Sequence, residues 1–419
     1  MNEVLSIIEK FRQPCSCGRS HETAVQDVRI GSGLVHCVGR ILKENDFSRH
    51  LLLVADRNTL AAADGIADSL RDFDVEYFVY PELRVAEMRH VEELEHLVEG
   101  KDISILSVGT GSVNDPCRVA AARQKKKLCI FATAPSMDGF ASYSAPIVAN
   151  GFKSSYPAKS PEVIIGDTAI LAAAPSELKS AGFGDMVAKY VALVDWKLSS
   201  MLTSEVYCPR VAALTRQAVD TLMTMADRVT ARDEETAGKI FESLLLTGIG
   251  MSFMQNSRPA SGSEHIVAHL MECVQLRDGI IPNYHGEDVG VCTLEMLKLY
   301  RSWAAYPSVS AHREQVDWEQ VYRYYGAMAE DVRKLNTPTT VTDEVDPAAL
   351  EAAWPEIRKL ICSVPSYEEC RDAMQKAGCK LTVADIGKPQ QLFDDCVRYS
   401  PYMRRRLTLL RLRDMMTFE

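Results

Sequence analysis

Near residue 170 the sequence changes from short apolar runs to long segments with helical periodicity. In the first part, the apolar runs alternate with segments of helical composition, such as 59–70 and 92–98. This alternation is typical of βαβ units and predicts a mostly parallel sheet. The predicted strands are Leu51–Ala55, Val75–Tyr80, Ile103–Val108, Leu128–Thr133 and Val163–Ile165.

The second part shows the apolar stripe of packed helices. In its first helical segment, Val187, Val191 and Val194 recur at spacings of four and three residues. We therefore predict an α/β nucleotide-binding domain over residues 1–170 and an all-helical domain over 171–419, with the active site in the cleft between them. The predicted helices are Met186–Leu202, Val211–Val229, Glu235–Met254, Val289–Trp303, Trp318–Leu335 and Ala348–Ile361.

Charge and composition exclude several classes of protein. The formal net charge of −10 argues against binding to nucleic acid, because phosphate backbones attract basic surfaces. The basic runs 125–127 and 404–406 are expected on solvated turns and helix faces. Charged residues interrupt Met1–Arg12, so no signal peptide is predicted, and no apolar run is long enough for a membrane span. The cysteines lack the spacing of a disulfide framework, which favours reduced thiols and a cytoplasmic protein.

Cys15, Cys17 and His21 form a short cluster of metal-ligating residue types near the N-terminus. Their C-x-C spacing differs from the C-x2-C of zinc knuckles, and no second cysteine pair follows. The sequence therefore favours ordinary thiols over a structural metal site at this position.

A glycine turn, Gly109-Thr-Gly111-Ser-Val-Asn-Asp115, follows the third predicted strand and precedes a helical stretch. Glycines allow backbone N–H groups to approach a pyrophosphate, and the helix N-terminus favours its negative charge. The turn lacks the third glycine of the G-x-G-x-x-G fingerprint. From the residues alone, dinucleotide binding and an ordinary strand-to-helix turn both remain open.

Two further strand ends carry polar residues that suit a dinucleotide. Asp56 could bind a ribose hydroxyl, although a turn or helix-capping aspartate is the alternative. Arg57 beside it could receive a 2′-phosphate, so the choice between NAD and NADP stays open. The segment 133–136 forms a polar loop at the end of the fourth predicted strand, where open α/β sheets bind ligands.

Acidic and histidine residues are concentrated in three segments of the helical part. Asp185 comes directly before the predicted helix Met186–Leu202, and His285 comes shortly before another predicted helix. His265 and His269 are four residues apart, so they share one face of a helix. One carboxylate and two imidazoles would leave a divalent metal ion with open positions for substrate. A helix cap at Asp185 and a histidine pair without a metal are the alternatives.

Together these residues resemble the superfamily of iron-containing alcohol dehydrogenases, glycerol dehydrogenases and dehydroquinate synthases. The closest likeness is to enzymes, especially bacterial ones, that interconvert dihydroxyacetone phosphate and sn-glycerol 1-phosphate. The resemblance covers nearly the whole chain and begins at 15–21 and 28–34. Its most specific pieces are Gly109–Asp115, Ser136–Ser142, Gly184–Met186 and Ser261–His269.

The resemblance implies roles for individual residues. Asp185, His265 and His285 would bind one divalent metal ion, which the family takes to be zinc or nickel. Asp138, Asp185 and His269 would contact the substrate, with Asp185 and His269 as the catalytic residues. The residues that would contact NAD or NADP are Asp56, Gly111, Ser112, Val113, Asn114, Asp115, Thr133, Ala134, Pro135, Ser136 and Ser142.

The activity implied by the resemblance is hydride transfer between NAD(P) and a small phosphorylated substrate, in a homo-oligomeric oxidoreductase. A dehydrogenase of an unphosphorylated polyol such as glycerol would use the same residues. A cyclase of the dehydroquinate synthase type needs more basic residues than flank the metal ligands, where Arg258 stands alone. His269 either contacts the substrate and relays its hydroxyl proton, or is a hydrogen-bond partner behind the ligands.

Overall fold

The computed structural model of the protein describes residues 3–419; Met1 and Asn2, which begin the segment predicted not to be a signal peptide, lie outside the described residues. The first part of the chain contains a central sheet and a separate antiparallel hairpin. Its strands are β1 (Asp27–Gly31), β2 (His50–Asp56), β3 (Asp74–Tyr80), β4 (Ser104–Gly109), β5 (Leu128–Ala132), β6 (Ser144–Ala149), β7 (Phe152–Pro157) and β8 (Val163–Asp167). Its helices are α1 (Glu3–Phe11), α2 (Val38–Glu44), α3 (Arg57–Ala62), α4 (Ile66–Ser69), α5 (Met88–Val98), α6 (Gly111–Arg123) and α7 (Thr168–Ala173).

The central sheet has six strands in the order β1-β8-β5-β4-β2-β3, and all neighbouring pairs are parallel. Both of its faces are buried: on β2, Leu51 and Leu53 belong to one apolar core, and Leu52 and Val54 belong to another. Burial on both faces explains the continuous apolar runs in the sequence. The predicted parallel sheet is confirmed, whereas β1 and the hairpin β6–β7 were not predicted.

The strand order contains a switch point between β2 and β4. From β2 the sheet continues through β3 on one side, and through β4, β5 and β8 on the other. Open α/β sheets bind ligands in the crevice outside the carboxyl ends of the strands at such a point. The two strand ends at the switch point are Asp56 and Gly109.

The second part is mostly helical, as predicted. One short antiparallel ribbon, formed by β9 (Val309–Ala311) and β10 (Met416–Phe418), was not expected. Within residues 3–419, no helix has the length and apolar character needed to cross a bilayer. The helices are α8 (Ser176–Val187), α9 (Lys189–Leu202), α10 (Pro209–Met223), α11 (Glu234–Met254), α12 (Ser263–Arg277), α13 (His285–Ala304), α14 (Trp318–Tyr325), α15 (Ala329–Asn336), α16 (Pro347–Cys362), α17 (Tyr367–Lys376), α18 (Gln390–Tyr399) and α19 (Leu409–Leu412).

Helix α11 packs directly on the sheet. Phe241 and Leu245 belong to the same apolar core as Ile164 of β8. A Cβ at Gly166 would lie 2.4 Å from the Phe241 ring, so β8 accepts this ring only where it lacks a side chain. The helical part therefore shares a core with the sheet, and the predicted domain boundary at residue 170 falls inside α7. The division into 1–170 and 171–419 stays a prediction.

The contact between α8 and the loop after β5 provides a test of how closely the two parts must pack. A Cβ at Gly182 would lie 2.0 Å from the carbonyl oxygen of Pro135. We expect Gly182→Ala to force the two backbones apart and to lower the free energy of unfolding by about 1–3 kcal/mol, measured by urea denaturation. Gly31→Ala is the control, because a Cβ there meets nothing within 4 Å. Equal stability of the two variants would contradict the close packing.

Candidate active site

A cavity of about 820 Å³ lies between the carboxyl edge of the sheet and the helical part. Gly111 and His265, which were predicted to face one cleft, both line it. The substrate and metal candidates Asp138, His269 and His285 line it as well. From the set predicted to contact the cofactor, the lining residues are Asp56, Gly111, Ser112, Asp115, Thr133, Ala134, Ser136 and Ser142.

The start of α6 presents backbone N–H groups to this cavity. Thr110 precedes the helix, and its carbonyl oxygen accepts hydrogen bonds from the amides of Val113 and Asn114 at 3.1 and 2.8 Å. A phosphate at this helix start would therefore meet the amides of Gly111 and Ser112, which come before the first internal hydrogen bonds.

Three of the residues predicted to contact the cofactor do not line the cavity. Val113 is buried in an apolar core, and the Asn114 amide oxygen accepts a hydrogen bond of 2.6 Å from the Ser107 hydroxyl. The carbonyl oxygen of Pro135 faces α8 at Gly182. The side chains of Val113 and Asn114 thus have packing and hydrogen-bonding partners within the first part of the chain.

The Asp56 carboxylate caps α3, which is the alternative that the sequence left open. One carboxylate oxygen accepts the Thr59 amide at 2.8 Å, and the other accepts the Leu83 amide at 3.3 Å. Asp56 nevertheless lines the cavity. Capping and a ribose contact are therefore compatible at this position.

Arg118 connects two residues predicted to contact the cofactor. Its guanidinium donates to the Asp115 carboxylate at 2.9 Å and to the Ser142 hydroxyl at 2.9 Å. Burial raises the pKa of Asp115 to about 6, although the neighbouring Arg118 opposes this rise. The buried arginine thereby fixes the start of α6 against the loop that carries Ser142.

Asp185, His265 and His285 come together beside the cavity, which His265 and His285 line. One ligand atom from each lies within 4.8 Å of the other two. His265 Nε2 is 3.3 Å from Asp185 Oδ1, and the His265 and His285 ring centroids are 5.4 Å apart. One carboxylate oxygen and two imidazole nitrogens suit a divalent ion such as zinc, with positions left open for substrate. The three residues therefore fit a catalytic metal ion.

Two glutamates orient the histidines of this cluster. Glu264 lies 2.7 Å from His265 Nδ1, and Glu272 lies 3.0 Å from His285 Nδ1. Because each Nδ1 faces a carboxylate, Nε2 of each ring is left for the metal, as in carboxylate–histidine–zinc sites. Burial alone would raise the pKa of Glu272, but Lys153 and His285 lower it well below its usual range.

A buried lysine joins the two aspartates of the site. Lys189 Nζ is 2.8 Å from Asp185 Oδ1 and 2.6 Å from Asp138 Oδ2. Burial alone would lower the pKa of Lys189, but the two carboxylates raise it. Lys189 is therefore an ammonium that balances two carboxylates, a role that the sequence could not assign.

His269 lies beside Asp185, His265 and His285, where it could either contact the substrate or bind the metal ion. Its ring stacks on His285 with centroids 5.3 Å apart, and His269, Glu272 and His285 form a second group whose ligand atoms lie within 4.8 Å. Burial and the nearby Lys153 lower the pKa of His269 well below its ordinary value. The imidazole is therefore neutral at neutral pH, so it can accept a proton or coordinate a metal.

The helix positions of the ligands depend on a close crossing of α8 and α13. Asp185 lies in the last turn of α8, so the prediction that it precedes a helix start was wrong. His285 is the first residue of α13, and a Cβ at the adjacent Gly286 would lie 1.8 Å from the carbonyl oxygen of Ala181. The two helices approach this closely because residue 286 has no side chain.

Basic residues from distant segments of the chain lie at or beside the cavity. Lys153 on β7 lines it and pairs with Glu272. The expectation that 404–406 is solvated was wrong for two residues: Arg404 donates to the carbonyl oxygen of Lys153 at 2.8 Å, and Arg406 donates to that of Ser261 at 2.6 Å. The cationic side chains of the site thus come from segments far from the metal ligands in sequence.

The fold and the site together define a class of enzyme. Residues 29–175 match the family described as iron-containing alcohol dehydrogenase. The structure is similar to that of an iron-containing alcohol dehydrogenase from Corynebacterium glutamicum, with a TM-score of 0.63, 14% identity and 94% of each chain covered. At this identity the likeness shows the fold, which is that of the iron-containing alcohol dehydrogenases.

Sequence comparison with curated relatives identifies the family more precisely. The chain is 29% identical over 418 residues to a glycerol-1-phosphate dehydrogenase [NAD(P)+] from Halalkalibacterium halodurans, covering 98% of each chain. It is 30% identical over 351 residues to the enzyme of that name from Bacillus licheniformis, covering 81% of this chain and 87% of the relative. The chain therefore belongs to the family of glycerol-1-phosphate dehydrogenases.

The cluster of Asp185, His265 and His285 predicts that replacing one ligand removes the metal ion. His285→Ala should remove one bound metal ion per chain and abolish activity, because two remaining ligands hold a divalent ion poorly. Elemental analysis of the purified variant measures the loss. His312→Ala is the control, since His312 is exposed and its Nδ1 lies 3.1 Å from the carbonyl oxygen of Arg313. Full metal content in His285→Ala would show that the third ligand is another residue.

Proposed function

We propose that this protein is an NAD(P)- and metal-dependent dehydrogenase that interconverts dihydroxyacetone phosphate and sn-glycerol 1-phosphate. The observation that carries this proposal is one cavity lined both by the start of α6 and by His265 and His285, which lie together with Asp185. Its volume of about 820 Å³ leaves room for a dinucleotide at the sheet and a small substrate beside these residues. The name of its relatives, glycerol-1-phosphate dehydrogenase [NAD(P)+], supports the same activity.

We propose zinc or nickel as the metal ion, held by Asp185, His265 and His285. When bound, it supplies a Lewis acid for the substrate C2 oxygen, while the nicotinamide supplies or accepts the hydride. Glu264 and Glu272 keep the two imidazoles turned so that Nε2 faces the ion. Imidazole and carboxylate ligands suit both metals, so metal content of the purified enzyme decides between them.

The dinucleotide would lie along the carboxyl edge of the sheet. Its pyrophosphate would bind the amides of Gly111 and Ser112 at the start of α6, where the helix dipole favours negative charge. Asp56 would accept a hydrogen bond from a ribose hydroxyl. The remaining proposed contacts, some of them through the backbone, are Val113, Asn114, Asp115, Thr133, Ala134, Pro135, Ser136 and Ser142.

The substrate would lie between the nicotinamide and the metal ligands. Asp138 would accept a hydrogen bond from a substrate hydroxyl, with its charge balanced by Lys189. In the direction of alcohol oxidation, the neutral imidazole of His269 can accept the C2 hydroxyl proton. Reduction of the ketone reverses this transfer.

The substrate phosphate requires cationic side chains, for which we consider Lys153 and Arg406. Lys153 lines the cavity directly, and Arg406 holds Ser261 and Ser257, which line it too. We propose that the phosphate binds near these groups, because a dianion gains most from cations in a partly desolvated cleft.

We further propose a cytoplasmic homo-oligomer. Among residues 3–419 all twelve cysteines are free thiols, which fits a reducing compartment. Strand β3 lies at the edge of the sheet and exposes Tyr77 and Val79, and exposed apolar edge strands tend to pair.

The proposed reaction predicts oxidation of NADH or NADPH in step with consumption of dihydroxyacetone phosphate. Absorbance at the nicotinamide band measures the rate, and chiral analysis identifies the product as sn-glycerol 1-phosphate. Activity should vanish on chelation and return with Zn²⁺ or Ni²⁺. Dihydroxyacetone is the control substrate, because it lacks the phosphate that Lys153 would bind.

Two outcomes would contradict the proposal. Faster turnover of dihydroxyacetone than of its phosphate would indicate a dehydrogenase of unphosphorylated polyols. Product formation without net change in NADH would indicate a cyclase of the dehydroquinate synthase type, which regenerates its cofactor.

His269→Ala tests the proposed substrate contact. The variant should keep its metal and its affinity for NADH, while kcat/KM for dihydroxyacetone phosphate falls. A lost hydrogen bond to the C2 oxygen, which gains negative charge in the transition state, is worth roughly 1.5–3 kcal/mol, or on the order of tenfold to a hundredfold in rate. If the variant is purified without metal, His269 is a ligand; unchanged kinetics would leave only a packing role.

A further inference from the structure

A second group of metal-ligating side chains lies at the N-terminal segment, outside the cavity. Cys15, Cys17, His21 and Cys208 each offer one ligand atom, and these four atoms all lie within 4.8 Å of one another. Cys15 Sγ is 3.6 Å from Cys208 Sγ, and His21 Nε2 is 3.4 Å from the sulfur atoms of both Cys17 and Cys208. The N-terminal cluster, as we name these four residues, is thus already assembled by the fold.

These distances match those between the ligands of a tetrahedral zinc ion. Zinc–sulfur bonds of about 2.3 Å and zinc–nitrogen bonds of about 2.0–2.1 Å place two sulfurs roughly 3.8 Å apart and a sulfur and nitrogen roughly 3.6 Å apart. A disulfide requires a sulfur–sulfur bond of about 2.05 Å. The 3.6 Å between Cys15 and Cys208 therefore fits two ligands of one ion better than a disulfide.

The surroundings of the N-terminal cluster orient its ligand atoms. His21 Nδ1 lies 3.3 Å from the carbonyl oxygen of Phe253, which fixes the tautomer that leaves Nε2 free for a metal. The Cys17 amide donates to the Cys15 sulfur, and the Val211 amide donates to the Cys208 sulfur. Such amide hydrogen bonds stabilise thiolates, the form of cysteine that binds zinc.

We propose that the N-terminal cluster binds a structural zinc ion through three cysteine sulfurs and one histidine nitrogen. Four protein ligands close the coordination sphere, which distinguishes a structural site from a catalytic one. None of these four described residues lines the cavity that His265 and His285 line. The site is therefore separate from the proposed catalytic metal.

The ion would fasten the N-terminal segment to the helical part. Cys208 lies 193 positions after Cys15 and immediately precedes α10, whereas the other three ligands follow α1. The Phe11 ring of α1 stacks on Phe253 of α11 with centroids 4.7 Å apart, and the Arg210 guanidinium donates to the carbonyl oxygen of Lys10 at 2.9 Å. Closing so long a loop removes much chain entropy from the unfolded state.

The sequence argument against this site looked for a second pair of cysteines near the first. A single cysteine supplies the fourth ligand, and nothing in the sequence around Cys208 marks it as the partner of Cys15 and Cys17. The fold alone brings the four residues together.

Metal analysis of the full-length protein, purified with Zn²⁺ and without chelators, tests the proposal. His285→Ala should retain one zinc ion per chain in the N-terminal cluster. Adding Cys208→Ser or Cys17→Ser to that variant should remove this remaining ion and lower the thermal unfolding midpoint. Because Cys17 is only half-buried, its replacement tests ligation even if Cys208→Ser does not fold. Cys370→Ser is the matched control, a buried thiol outside the cluster that should leave the zinc content unchanged.

Cobalt substitution gives an independent measurement. Co²⁺ in the N-terminal cluster should show an intense thiolate-to-metal charge-transfer band, which the oxygen and nitrogen ligands of the cavity cannot produce. The band should be present in His285→Ala and strongly reduced in Cys17→Ser. Absence of the band, loss of all zinc in His285→Ala, or a disulfide between Cys15 and Cys208 found by mass spectrometry would overturn the proposal. None of these results bears on the proposed reaction.

Discussion

The active site depends on one buried carboxylate, that of Asp185. It accepts a hydrogen bond of 2.9 Å from the amide of Asp138, pairs with Lys189 at 2.8 Å and lies 3.3 Å from His265 Nε2. Asp138 belongs to the first part of the chain, and the other residues belong to helices of the second. A buried charge is tolerated only with such partners, and removing one partner typically costs about 3–5 kcal/mol. The same contacts that neutralise Asp185 therefore hold the two parts in register.

The sequence predicted the sheet, most of the helices and the residues that we propose as metal ligands for identifiable reasons. Strands buried on both faces give continuous apolar runs, so β2 and β5 were visible without any tertiary information. The family resemblance, rather than spacing, joined Asp185 to His285. Helix geometry alone placed His265 and His269 on one face, and Glu272, seven residues after His265, continues that face. This spacing was the available signal for Glu272, which was not predicted.

Other features had no signal along the chain. Lys153 reaches Glu272 from a hairpin more than a hundred positions earlier, and Arg406, near the C-terminus, donates to Ser261 at the cavity wall. For Lys189, only its burial between two carboxylates shows what it does. The start of α9 was misplaced because apolar residues continue across the break between α8 and α9, so the break leaves no trace in the periodicity.

The position of helix α11 determines which parts of this enzyme could fold as separate fragments. Its residues Phe241 and Leu245 complete a core that the strands begin, and the Phe241 ring also packs edge-on against Phe140 with centroids 5.1 Å apart. A fragment ending near residue 175 would expose the apolar surface that these side chains cover, and would be prone to aggregate. The nucleotide-binding part is therefore not an autonomous module. It could not be exchanged between enzymes without carrying a helix encoded sixty residues downstream.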